Sequence, residues 1–91
     1  MDSEISFGRV IRTSATARRC FPQFVGTVEQ AIDYIQELPL ATWRSGHWHS
    51  ASLSLWDAVD FPQDAARLTV AVKDLCAALA VEGWLDEIPP A

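Results

Sequence analysis

The chain has 91 residues, 49% hydrophobic and 21% charged, a globular balance that fits one small domain and excludes a disordered chain or a two-domain protein. Seven Lys and Arg against twelve Asp and Glu leave a formal net charge of −5. That sign opposes duplex nucleic acid, whose binders neutralise phosphates with cations.

The first block, Ile5 to Val25, predicts a β-hairpin. Ile5, Phe7, Arg9 and Ile11 alternate with Ser6, Gly8, Val10 and Arg12 at the strand period of two. Thr13-Ser14-Ala15-Thr16 supplies a turn, and a second extended segment follows through Arg18, Cys20 and Phe24. Pro22 has no N–H for a ladder, which points to an edge strand or a bulge.

A helix is predicted over 28–38. Thr27 and Gln30 have the capping-box spacing, and Val28, Ala31, Ile32, Ile35 and Leu38 form one apolar stripe opposite Glu29, Asp33 and Glu37. Pro39 turns Leu38 away from the helical region and ends the helix. Leu40 to Gly46 reads as a loop. The next stretch is two-faced: Ser50 to Leu55 alternates as a half-buried strand would, while Trp48, Ala51, Ser52, Leu55 and Val59 make a helical stripe with Trp56 beside it. Local pattern leaves residues 47–58 open between helix and strand.

The last block predicts the longest helix, about 20 residues by its 3.6-residue period. Asp60 stands three residues before Gln63, a cap spacing, with Pro62 in the permitted first turn. Ala65, Leu68, Val72, Leu75, Cys76 and Leu79 line one face, and Gly83 suits a left-handed helix end. Trp84 and Leu85 then fold back on the helix. The expected unit is one domain over residues 1–91, ordered across about 5–86, with residues 87–91 frayed.

Motif chemistry is sparse. The chain has no Walker A loop, no G-x-G-x-x-G and no G-x-S-x-G, so no catalytic residue and no cofactor is assigned. His47 and His49 could chelate from a strand, but on a helix their side chains diverge by about 200°. Without C-x-x-C or H-E-x-x-H beside them, no metal ligand is assigned. The acidic start without an apolar run predicts a cytoplasmic chain with no membrane segment, its Cys20 and Cys76 reduced.

The blocks in order resemble a bacterial family known as domain of unknown function 982. The resemblance rests on a hairpin leading into Val28-Glu29-Gln30-Ala31, the Leu38-Pro39 helix end and Gly46 before Ala51. It continues with Ala66-Arg67 opening the last helix and Ala77-Ala78 leading to Glu82-Gly83. It spans about residues 7–85 and departs at Leu38-Pro39, where the family tends to carry Trp-Pro. It implies a β-hairpin packed on about three helices, with residues 47–58 helical, and it brings no catalytic residues. The expected architecture is therefore α+β in the order β-β-α-α-α, with the hairpin packed on helix 28–38.

Two functional readings follow. In the first, the chain is a protein-interaction or regulatory module without catalysis, contacting an unknown protein partner through Trp43, Arg44, His47 and Trp48. Trp and Arg are favoured interface anchors. The competing, preferred assignment has Trp43 and Trp48 plugging the ends of a small core, because indole is rarely left exposed in a small domain. In the second reading, Arg9, Arg12, Arg18 and Arg19 make a nucleic-acid face on the hairpin, with Phe7, Phe21 and Phe24 as stacking partners. Residues 1–26 carry +2 and residues 27–91 carry −7, so an arginine face would sit on an acidic body, and the first reading is preferred. A homodimer would form through the hairpin's free edge or a helix face. Trp56 and Trp84 are expected in the helical core.

Overall fold

β1 (Ser6–Arg12) and β2 (Phe24–Thr27) pair antiparallel, with Ile11 opposite Val25 and Arg12 opposite Phe24. The computed structural model covers residues 5–17 and 20–86, without the side chain of Arg9. Ile11 and Val25 point inward and are fully buried, whereas Val10 and Phe24 on the other face are half exposed, the alternation that a one-sided sheet requires. The register shifts between Ser6 and Ile11. Gly8 lies within that irregularity at φ +76°, a backbone region that glycine enters without a Cβ clash.

The strand connection differs from a simple hairpin. A 3₁₀ turn occupies Ala15–Ala17, and strand pairing resumes only at Phe24. The reason is Phe21, which is drawn into the core among aromatic rings and so leaves the sheet plane. The Ala17 carbonyl accepts from the N–H groups of Cys20 and Phe21 at 2.9 and 2.8 Å, and the Thr13 hydroxyl donates to the Pro22 carbonyl. Pro22 thus sits just outside the strand, where its missing N–H costs no ladder bond.

β2 runs directly into α1 (Val28–Gln36). Thr27 caps it by accepting from the Gln30 N–H at 3.1 Å, and the Gln30 side chain reaches back to the N–H of Gly26 at 3.0 Å. This is a capping box displaced by one residue. Val28, Ala31, Ile32 and Ile35 are buried in the common core, where α1 packs on the helix over Gly46–Asp60 as well as on β2. The stretch read as a loop opens with a short helix, α2 (Leu40–Trp43). Pro39 stands at its N-cap with its carbonyl accepting from the Trp43 N–H at 2.8 Å, a position where proline's missing N–H costs no helix bond.

Residues 47–58 are helical, within α3 (Gly46–Asp60). A strand would place Ala51, Leu53 and Leu55 on one face, yet Leu55 is 0% exposed and Leu53 is 59% exposed. The helical stripe Trp48, Ala51, Leu55 and Ala58 is what the core takes. α4 (Ala65–Glu82) follows after a short turn. Its cap is Asp64, not Asp60, because Asp60 still belongs to α3 and Pro62 lies in the turn. The Asp64 carboxylate accepts from the N–H groups of Ala66 and Arg67 at 3.0 and 3.3 Å.

α4 ends in a Schellman motif at Gly83, φ +75°. The Gly83 N–H donates to the Ala80 carbonyl at 3.1 Å and the Trp84 N–H to that of Leu79 at 2.8 Å. The reversed chain closes on the outer edge of β1: Thr13 bridges Leu85, and the Asp86 N–H donates to the Arg12 carbonyl at 3.1 Å. The outcome is an α+β domain in which a small antiparallel sheet precedes the helices. Residues 87–91, expected to fray, lie outside the described residues, as do Arg18 and Arg19.

Candidate functional site

The segment Trp43 to His49 spans the end of α2 and the first turn of α3, and the helix sends its side chains in three directions. Trp48 points into the core and is 0% exposed. Its indole stacks on Phe21 with ring centroids 5.6 Å apart and tilts against Trp84 at 5.8 Å. Tyr34 completes the group from α1, 5.8 Å from Phe21. Four rings from four parts of the chain thus meet where sheet, α1, α3 and the end of α4 converge. A buried indole N–H must find an acceptor; here it donates to Oε2 of Glu82 at 2.9 Å.

His47 lies beside it, and its Nε2 meets the same Glu82 oxygen at 3.0 Å. The indole N–H donating to this oxygen, with the imidazole beside it, favours the carboxylate over the acid. The indole bond chiefly, and then the imidazole, hold the Glu82 pKa below the ordinary glutamate value, against the opposing effect of burial. The trio joins the start of α3 to the last turn of α4. Farther along the same helix pair, Ser54 donates to Asp74. At the closed end Arg67 reaches Asp57 at 2.6 Å and Asp64 at 3.0 Å while its guanidinium covers the Phe61 ring at 3.9 Å. Polar contacts at three heights lace α3 to α4.

Of the four residues read as a partner surface, Trp48 is removed by its burial and His47 is turned inward to Glu82. Trp43 is half-buried and Arg44 exposed. His49 leaves α3 on the outer side and lies edge-on to Trp43, centroids 6.2 Å apart. The two histidines therefore point apart, and among the described residues no three His, Cys, Asp or Glu side chains are placed to hold a metal ion. Both cysteines are half-buried against the core.

The larger correction concerns Trp56. Placed in the core by the sequence reading, it is 45% exposed. It stands three residues from Leu53 on the outward side of α3, while α1 and α4 pack on the helix's other sides. Gly46, His49, Leu53, Trp56 and Asp60 are all exposed and recur at spacings of three and four, the heptad pattern of a helix seam. That spacing is present in the sequence, but it becomes a surface only once 46–60 is helical. Of the arginine set, Arg12 is exposed and reaches Asp86 at 3.2 Å; the side chains of Arg9, Arg18 and Arg19 lie outside the described residues.

No described helix is long and apolar enough to cross a membrane. No family model, curated protein or solved structure matches the chain.

Proposed function

We propose that this chain is a small protein-interaction or regulatory module without catalytic activity, acting in the cytoplasm through the outer surface of α2 and α3. One observation carries the reading: Leu53 and Trp56, a large aliphatic and an indole, stand exposed one turn apart on a helix whose other sides are covered. Exposed apolar side chains grouped on one face mark contact sites in small domains, and Trp is a favoured anchor. Trp43 and Arg44 border this face; Trp48 and His47 support it from within.

Affinity capture from host extract with the intact chain tests it. Proteins retained by wild type and lost with Leu53→Asp or Trp56→Ala are expected, with retention insensitive to nuclease. Capture unchanged by both substitutions, or capture of nucleic acid released by moderate salt, would overturn the reading in favour of the arginine face.

A further inference from the structure

We infer that the occupant of the α3 face is a second copy of this chain, docked antiparallel on α3 about a two-fold axis. The inference rests on the interaction reading above and names its partner. The outward seam has its apolar residues at the centre and its polar ones at the ends: His49, then Leu53 and Trp56, then Asp60. When two heptad seams pack antiparallel, residues of the first class face residues of the second. In that register Leu53 packs on Trp56 of the second copy, and Trp56 on its Leu53. The flanking layers then bring His49 against Asp60 of the second copy at both ends. Each imidazole N–H meets a carboxylate, so the seam is complementary to itself, as an isologous interface must be. Parallel packing would instead set Asp60 on Asp60.

The residues beside the seam permit this approach. Ser50 and Ser52 are small, and Asp57, the charged residue next to Trp56 along the helix, is already engaged by Arg67 at 2.6 Å. Trp43, against His49, widens the apolar patch at one end. A helix of 15 residues is about 22 Å long, and a seam of that length covers on the order of half the ~800 Å² per partner of a stable complex. The dimer is therefore a weak, concentration-dependent one.

Sedimentation equilibrium of the intact chain tests this, over roughly 10 µM to 1 mM, where interfaces of such size change occupancy. Wild type is expected to shift from monomer toward dimer across that range. Leu53→Asp, at an exposed site where folding should persist, is expected to weaken association by about tenfold or more. Asp60→Arg is expected to weaken it too, and His49→Glu added to Asp60→Arg to restore it. That rescue is specific to the antiparallel register, because parallel pairing would leave like charges opposed. A wild type that stays monomeric throughout overturns the second copy as occupant, while the capture experiment still decides the interaction reading. A dimer indifferent to Leu53→Asp, or one not rescued by the double substitution, overturns the register.

Discussion

Glu82 shows how one carboxylate can serve the core and the helix pair together. Its Oε2 satisfies the only polar atom of the buried Trp48 indole and anchors His47 as well. Glu82→Ala leaves that indole N–H without its acceptor, which costs about 1–3 kcal/mol for a buried donor. The lower part of that range is expected, because the Glu82 side chain is 26% exposed and water can enter. Glu82→Gln keeps an acceptor and should lose less, as urea unfolding would register. The pH dependence has a definite sign. The folded pKa of Glu82 is depressed, so its stabilisation is complete above the ordinary glutamate range and is lost as pH falls through that range, about 4.3, toward the lower folded value. Stability measured on the acid side should therefore fall less steeply in Glu82→Gln than in wild type. An identical acid slope would contradict the assignment.

At the scale of elements, the helices divide by how their signals arise. α1 and the end of α4 carry their instructions locally: Thr27 with Gln30, Pro39 after Leu38, and Gly83 all act through nearby backbone. These were legible in the sequence. α3 was not, because Ser50 to Leu55 satisfies a strand as well as a helix, and only burial of Trp48, Ala51, Leu55 and Ala58 together decides it. The start of α4 was displaced for a related reason. Asp60 and Asp64 are both competent caps, and the choice depends on where α3 stops. α2 and the 3₁₀ turn at Ala15–Ala17 were hidden too, since neither has a period long enough to read.

Two substitutions test these local assignments. Gly83→Ala forces a Cβ into the left-handed region and should cost about 1–2 kcal/mol, although nothing crowds the position. Asp64→Ala should lower the melting temperature, with Asp64→Asn recovering much of the loss because an amide oxygen can still cap. If Asp60→Ala proved the more destabilising of the two alanine changes, the boundary between α3 and α4 would be misplaced.

For the whole molecule, the distribution of large rings is the organising fact. The composition poses the question of where four Trp and four Phe fit in so small a core, and the answer is a division. Phe21, Trp48 and Trp84, with Tyr34, tie together the strand connection, α3, the reversed end of α4 and α1. Trp56 and Leu53 remain outside on α3. Phe21→Ala should therefore cost about 3–5 kcal/mol, as for a buried aromatic, whereas Trp56→Ala should change monomer stability by no more than about 0.5 kcal/mol. The sequence reading prefers Trp48 as a core plug while also offering it as a partner contact, and the core keeps it; Trp56, expected inside, is the ring that stays outside. Both indoles lie near the apolar stripe of α3 in sequence, and only the side on which α1 and α4 pack tells them apart. The same packing leaves the seam through which association is proposed.

The most direct test follows the four indole N–H resonances of the uniformly ¹⁵N-labelled chain while its concentration is raised. The Trp48 signal is expected to stay fixed and exchange slowly with solvent, held by Glu82 within the core, while the Trp56 signal moves as the outer face of α3 becomes covered. A Trp48 signal that shifts or exchanges quickly, with Trp56 unmoved, would contradict both the core and the contact surface described.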